Sequence, residues 1–414
     1  MKEGWEIKKL GEITTKIGSG ATPRGGNVSY KTEGISLIRS MNVHDFEFRD
    51  KNLAFIDDQQ AKELNNVALQ ENDVLLNITG ASVTRCCVVP KEYLPARVNQ
   101  HVSIIRAKKE VIDPLFLNLL LTSKHYKDQL LFTGEQGATR QAITKAELES
   151  FNIAFPKSLP EQQRIVSILD EAFTAIAKAK ANAEQNLWNS QELFESLLIK
   201  IFTEGISIKK WKLEKLEKYN KVVVGYVGPI SKEYTNDENG ILLLSTKNIG
   251  VNGVSLEKLT RINHQFHNKN RKSQLVPEDI LVARHGNSGQ SAVIPNNIKT
   301  AHALNVIIIK KSESLSSEYI CFLLNSGVLD KIASSKAGSV QEIINTSIIK
   351  DLIIPVPSVK EQQTIVQKLN ALSTQTKKLE SIYQQKINDL EEMKKSILQK
   401  AFSGELKTEK VMEV

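Results

Sequence analysis

Leu159-Pro160-Glu161-Gln162-Gln163-Arg164-Ile165-Val166 opens a stretch that reaches Gly205 without a further proline. Apolar or small residues recur at Ile165, Leu169, Ala172, Ile176, Ala179, Ala183, Leu187, Ser190, Phe194, Leu197 and Ile201. They step by four and three, which is the seam of a coiled coil. Pro160 suits a first helical turn, where its missing N–H has no partner to lose. Gly205 reads as a C-cap. The spacing therefore predicts one long helix over Leu159 to Gly205, roughly 60–70 Å at 1.5 Å per residue, far more than a small domain needs for its core.

The same stretch returns 200 residues later as Glu361-Gln362-Gln363 and Ile365-Val366, with Lys200 and Phe202 matched by Lys400 and Phe402. The second seam reads Ile365, Leu369, Leu372, Thr376, Leu379, Tyr383, Ile387, Leu390, Lys394, Ile397 and Ala401. Both copies break the heptad at one equivalent place, Ala183 to Leu187 and Tyr383 to Ile387. Any amphipathic helix offers the periodicity, but a shared irregularity points to duplication. Paired antiparallel, two such helices form a ruler that carries a copied domain at each end, related by an approximate two-fold axis.

The flanking segments repeat as well. Trp5 to Leu10 has its twin in Trp211 to Leu216, and Gly34-Ile35, Asn42-Val43, Asp73-Val74-Leu75 and Gly80 reappear 206 residues on as Gly240-Ile241, Asn248-Ile249, Asp279-Ile280-Leu281 and Gly286. Short β-branched runs bounded by Gly, Pro or Asn predict strands at 35–38, 73–78, 86–89 and 102–105, with a helix over 114–131. The second copy gives strands at 241–244, 280–283, 292–294 and 306–309 and a helix over 317–332. Each half closes through a glycine-containing loop and a strand, at 134–155 and 338–355. The expected fold class is α+β: two repeated domains with small, curled, mostly antiparallel sheets and short helices, separated by two long helices forming an antiparallel coiled coil with pseudo-two-fold symmetry. The boundaries are 1–157 for the first domain, 158–206 for the first long helix, 207–357 for the second domain, 358–405 for the second helix and 406–414 for a charged tail, expected to be disordered.

The 414 residues are 41% hydrophobic and 25% charged, which suits globular domains rather than disorder. Fifty-five Lys and Arg against 47 Asp and Glu give a net charge of +8, mildly favouring a polyanionic partner. Residues 1–10 are charged and lack a signal-peptide core, and no apolar run is long enough to span a membrane. Three cysteines, two of them adjacent at Cys86 and Cys87, fit neither a disulfide framework nor a zinc pattern, so a cytoplasmic location is the default.

Tests for chemistry fail throughout. The glycine-rich run Gly18 to Gly26 lacks the Gly-Lys-Ser/Thr ending of a phosphate loop, leaving a loop beside DNA or a plain surface turn. His264 and His267 have no second pair of ligands and read as solvated polar residues, so no metal site is expected. No nucleophile elbow, zinc-protease motif or Asn-Pro-Pro-Tyr methyltransferase motif occurs, and catalytic residues are expected to be none. What remains is a set of polar and basic loop residues near the glycine turns. In the first half they are Arg39, Asn42, Asn77, Thr79, Ser82, Thr84, Arg85, Arg140 and Gln141. In the second they are Lys247, Asn248, Arg284, His285, Asn287, Ser288, Gln290, Ser339 and Gln341. Arg reads guanine edges and Asn or Gln reads adenine edges, while Lys and Ser more often hold phosphate. For any one of them a solvated turn residue is the competing reading.

The two Trp-x-x-x-x-Leu openings, Trp5 to Leu10 and Trp211 to Leu216, together with the two Glu-Gln-Gln-x-Ile-Val helix starts at Glu161 and Glu361, resemble the specificity subunit of type I restriction-modification systems. The resemblance covers essentially the whole chain. It departs at Lys360, which stands where the first copy has Pro160. It implies that each globular part is a target recognition domain reading one half of a split sequence in double-stranded DNA. The helices then set the gap. It further implies two methyltransferase subunits and translocase-nuclease restriction subunits as partners, no membrane, and no cofactor in this chain, with S-adenosylmethionine, ATP and Mg²⁺ belonging to the partners. Two other classes compete: a fused enzyme, which needs a cofactor-binding domain that no segment supplies, and a coiled-coil scaffold without a nucleic-acid role.

Overall fold

A computed structural model describes residues 3–135, 142–250, 253–257, 259–285, 288–327, 344–403 and 405. The expected loop residues Arg140, Gln141, Asn287, Ser339 and Gln341, and the tail 406–414, lie outside the described residues. The chain divides into two compact units, Met1–Ala183 with Gln385–Val414, and Glu184–Gln384. Each unit thus holds one globular part, one half of the first long helix and one half of the second.

In the first unit the strands are β1 (Trp5–Lys9), β2 (Thr14–Ser19), β3 (Ile35–Ile38), β4 (Val43–His44), β5 (Glu47–Phe48), β6 (Ala54–Ile56), β7 (Val74–Asn77), β8 (Cys86–Val88), β9 (Ala96–Val98), β10 (Val102–Ala107) and β11 (Asn152–Pro156). β2-β10-β7-β8 form an antiparallel sheet, β6-β3-β9 a second sheet in which β3 and β9 run parallel, and β1 pairs with β11 to join the two ends of the globular part. Alternation along the central strands sends Val74, Leu76, Cys86 and Ile105 into one hydrophobic cluster and Leu75, Cys87 and Ile104 into another. The sheet is therefore buried on both faces, which explains why its strands read as continuous apolar runs.

Five helices accompany this sheet: α1 (Asp58–Glu63), α2 (Pro114–Thr122), α3 (Lys124–Glu135), α4 (Lys145–Ser150) and the long α5 (Leu159–Ser207). The single helix expected over 114–131 is two. Asp113 caps α2 by accepting from the Leu115 and Phe116 N–H groups, Pro114 follows at the first turn, and Ser123 stops the helix in an extended conformation.

The second unit repeats the plan with β12 (Lys212–Lys215), β13 (Val222–Val224), β14 (Tyr234–Thr235), β15 (Ile241–Leu244), β16 (Ile249–Gly250), β17 (Gly253–Val254), β18 (Thr260–Ile262), β19 (Gln274–Leu275), β20 (Ile280–Val282), β21 (Ser291–Val293), β22 (Ala301–Ala303), β23 (Ile307–Ile309) and β24 (Ile353–Val356). Its helices are α6 (His264–Lys269), α7 (Ser317–Asn325), α8 (Thr346–Lys350) and the long α9 (Val359–Ser403). β13-β23-β20-β21 matches the first antiparallel sheet, β15 and β22 supply the parallel pair, and β12 pairs with β24. The expected helix 317–332 is α7 as far as Asn325, and residues 328–332 lie outside the described part.

The duplication holds at the level of atoms. Asp73 is paired by Arg106 through two 2.7 Å contacts and accepts from the Gln70 N–H, and Asp279 is paired by Lys310 at 2.8 Å and accepts from the Val276 N–H. Both carboxylates are fully buried, where an ionised group persists only if paired. The repeated Gln is likewise explained. Gln162 accepts from the Asp113 N–H and donates to the Val111 and Pro156 carbonyls; Gln362 accepts from the Ser316 N–H and donates to the Ser314 and Pro357 carbonyls. Each long helix is thereby clamped to its domain at its first turn.

In the first unit Phe173 of α5 meets Lys394 of α9, and Lys180 pairs with Glu391 at 2.6 Å, so one helix ascends as the other descends. Ile165 and Leu169 share the core with Leu398 and Ala401, and Phe402 packs on Phe116 at 5.4 Å. In the second unit Leu198 and Phe202 share a core with Ile365, Val366 and Leu369, and Phe202 meets Tyr319 at 5.6 Å. Of the expected seam, Ile165, Leu169, Ile176, Ile365, Leu369 and Ile387 are buried, and Leu187, Phe194, Leu197, Ile201, Leu372, Leu390 and Ile397 are half-buried. Leu379 departs from it, lying 42% exposed, because a 3.6-residue turn drifts off a strict heptad line.

The C-cap expected at Gly205 is also corrected. α5 continues through it to Ser207, and the chain then folds back so that the Trp211 N–H donates to the Gly205 carbonyl at 3.2 Å. A Cβ on Gly205 would stand 2.0 Å from the Trp211 ring, so glycine is required there for close approach rather than for a left-handed turn.

Candidate nucleic-acid interface

The ends of β2, β3, β7, β9 and β10 in the first unit bring four loops together: 20–25, 39–42, 78–85 and 99–101. Backbone bonds tie them, from Gly20 N–H to Val102 O, Ala21 N–H to Val98 O, Asn99 N–H to Ile38 O and Ile78 N–H to His101 O, all between 2.9 and 3.0 Å. A Cβ on Gly20 would stand 2.0 Å from the Val98 carbonyl oxygen, so that part of the glycine-rich run is fixed by close packing. In the second unit the same bonds recur as Gly225 N–H to Val306 O, Tyr226 N–H to Ala303 O and Leu304 N–H to Leu244 O.

Within this cluster the expected residues separate by burial. Asn42 is fully buried: its Oδ1 accepts from the Arg39 N–H at 3.1 Å and its amide donates to the Arg49 carbonyl at 2.8 Å. Asn248 does the same with the Ser245 N–H and the Ser255 carbonyl. Asn77 is fully buried and donates to the Ser40 carbonyl and the Ser82 hydroxyl, while Thr84 is 3% exposed with φ +70°. The base contacts expected of Asn42, Asn77, Thr84 and Asn248 are therefore corrected. The amides of Asn42 and Asn248 bond to backbone and that of Asn77 to the Ser40 carbonyl and Ser82, so these side chains shape the loops, because a turn that leaves a sheet must satisfy its own N–H and C=O groups.

The others reach the surface. Arg39, Thr79, Ser82 and Arg85 are partly exposed in the first unit, and Lys247, His285 and Ser288 are exposed, with Arg284 and Gln290 partly so, in the second. Arg39 donates to the Asn52 carbonyl and stacks 5.5 Å over the Tyr30 ring, and Arg284 donates to Asn305 Oδ1 at 3.1 Å. Each guanidinium is held in place, its Nε is buried without a partner, and its residue is partly exposed at the loop cluster; a guanidinium is the side chain suited to phosphate or guanine.

Residues outside the expected set complete the surface: Thr22, bonded to the Gln100 side chain, His101, whose Nδ1 lies 2.7 Å from the Thr79 hydroxyl, and Asn305. Gln100 and His101 occupy the turn between β9 and β10. A run of three polar residues, Asn99-Gln100-His101, between two β-branched strands was the available signal.

The histidine pair expected to be solvated is corrected in part. His264 is exposed and bonded to the Asn239 carbonyl, but His267 is buried with its Nδ1 3.2 Å from Nδ1 of the fully buried His302. Burial pushes the His302 imidazole down to about 4, so it is neutral near pH 7. Among the described residues no group of three or more His, Cys, Asp or Glu could hold a metal ion, and no helix is long and apolar enough to cross a membrane.

Known proteins share this plan. The chain is 22% identical to the type I restriction enzyme EcoKI specificity subunit of Escherichia coli K12, over 98% of this chain and 90% of that one. A structure solved for work on complex assembly and conformational transition of the type I R-M system superposes with a TM-score of 0.79 at 18% identity, covering 98% of this chain and 99% of that one. The HsdS subunit from Thermoanaerobacter tengcongensis superposes at 0.63 and 17% identity, covering 98% of each. The family described as type I restriction modification DNA specificity domain matches residues 2–185 and again residues 199–392. With that domain present twice and each copy followed by a long helix, the chain belongs to the family of type I restriction-modification specificity subunits.

Proposed function

We propose that this chain selects the DNA target of a type I restriction-modification complex, each globular domain reading one half of a bipartite duplex sequence and the long helices setting the gap. The domain limits follow the repeat: recognition domains at 1–157 and 207–357, spacer helices at 158–206 and 358–405. The observation that carries this reading is the duplicated frame. Asp73 with Arg106 and Asp279 with Lys310, Asn42 and Asn248, and Gln162 and Gln362 keep their roles in both copies, while the loop ends diverge, Arg39, Met41 and Thr79 of the first copy being answered by Ser245, Lys247 and His285 of the second, with Ser82 and Ser288 shared. A frame held constant under diverged loops is what two readers of different bases require. Loop contacts would then select sequence, and Lys and Arg on phosphate would supply salt-dependent affinity.

The chain is a non-catalytic subunit in this reading. Double-stranded DNA, two methyltransferase subunits and the restriction subunits are its partners in the cytoplasm, and S-adenosylmethionine, ATP and Mg²⁺ act in those partners. Sequencing adenine methylation in a host before and after this chain is exchanged for another tests it: the methylated bipartite sequence should change with the chain. An unchanged sequence would overturn the assignment.

A further inference from the structure

Lys394 occupies a seam position of α9, where the first helix copy has Phe194. A lysine in a seam is costly because its ammonium forgoes water, so its surroundings must compensate. The acids nearby are engaged elsewhere: Asp45 by Lys127, Glu47 by Arg49 at 2.8 Å, and Glu391 by Lys180 at 2.6 Å. The partners of the ammonium are two aromatic faces. Its Nζ lies 4.4 Å from the Phe46 ring centroid and 4.8 Å from that of Phe173 on α5, and those two rings meet edge to face at 5.4 Å.

Phe46 sits at the tip of the β4–β5 hairpin with φ +64°, a left-handed conformation that bulky side chains rarely adopt. Asp45 beside it accepts the Cys86 N–H at 3.2 Å and pairs with Lys127 of α3, so the tip is braced on the globular side as well. Clefts of about 800 and 570 Å³ flank the contact, and both are lined by Phe46, Phe173 and Lys394. A strained hairpin tip reaching between two clefts to a cation held on paired helices is a point attachment of the domain to its support. The helix positions corresponding to Phe173 and Lys394 in the second copy are Ser373 and Phe194, so this chemistry belongs to the first unit.

We propose that Phe46, Phe173 and Lys394 form a latch fixing the orientation of the first recognition domain on the helices, with Lys394 a positioning residue for the half-site that domain reads. The positioning role rests on the DNA-selection function proposed above; the latch does not.

Hydrogen exchange on the full chain tests the latch. Lys394→Met keeps the apolar stem and removes the charge; Lys394→Arg keeps a cation that stacks on aromatic rings. In the Met variant the amides of 43–48 should exchange roughly five- to thirtyfold faster, the loss expected for a partly desolvated cation–π contact. The Arg variant should restore protection, and the second-unit strands at 249–250 and 253–254 should not respond. Equal protection in wild type and the Met variant would overturn the latch. Methylation of duplexes with the gap lengthened or shortened by one base pair then tests positioning: the Met variant in the assembled complex should accept altered gaps with unchanged half-sites, and Arg should restore discrimination. A loosened hairpin with undiminished gap discrimination would overturn the positioning role. A wild-type complex that methylates no bipartite target would instead count against the proposed function, with the exchange result still deciding the latch.

Discussion

Replacing Gln362 with Ala removes the clamp between α9 and the second globular domain without touching the loops at the sheet ends. Its side chain is 1% exposed and its three bonds go to backbone: the Ser316 N–H at 2.8 Å and the Ser314 and Pro357 carbonyls at 3.1 Å each. Truncation leaves one donor and two acceptors buried without partners. At roughly 1 kcal/mol for each group after partial rewetting, the expected loss is about 3 kcal/mol. For a unit of some 200 residues that corresponds to a melting transition lowered by ~6–12 °C. Differential scanning calorimetry of the full chain measures it, and Gln363→Ala is the control, since Gln363 has the same chemistry one residue on and is exposed. Equal effects of the two substitutions would refute the assignment of the repeated Glu-Gln-Gln to a buried clamp.

Acidification should destabilise the second unit selectively. His302 is neutral in the fold with its pKa lowered to about 4, so the unfolded chain takes up the proton first as pH falls below about 6.5. Stability is complete above that value and is lost between 6.5 and 4, by about 2 kcal/mol at pH 5. The first unit holds Arg97 at the corresponding strand position, so equal shifts of both melting transitions would count against the mechanism. Gly205→Ala, ordinarily favourable inside a helix, should destabilise by ~1–3 kcal/mol because its Cβ meets the Trp211 ring; a rise in melting temperature would show that the indole yields freely. Shortening α5 and α9 together by one heptad should, if the helices set the gap, reduce the permitted half-site separation by ~10 Å, about three base pairs. Methylation sequencing would read that shift, and an altered half-site sequence would contradict the division of labour.

Much of this molecule was legible in its residues because repetition removes ambiguity. One amphipathic run of four-three spacing is compatible with many folds, but two runs 200 residues apart with the same heptad break require a shared structural cause. Trp5 and Trp211, Asp73 and Asp279, and Gln162 and Gln362 marked the frame before any side chain was placed; all six proved to be buried, the acids and the glutamines with matching partners. The candidate DNA-facing surface was less legible. Asn42, Asn77 and Asn248 have the composition of base readers, and whether an amide faces DNA or its own loop depends on burial, which spacing does not encode.

Sequence alone determined the doubled plan, the two long helices and the absence of a motif for bond-making chemistry, since periodicity, repetition and motif spacing are properties of the chain's order. Only the tertiary structure decided that Gly205 makes room for Trp211 instead of capping a helix, and that His267 is buried against His302. It also decided that Lys394 lies between Phe46 and Phe173, and that Gln100 and His101 share a loop cluster with Thr22 and Thr79. Each of these depends on which distant segments come within a few ångströms. That is set by packing of whole elements, where no local pattern carries the information.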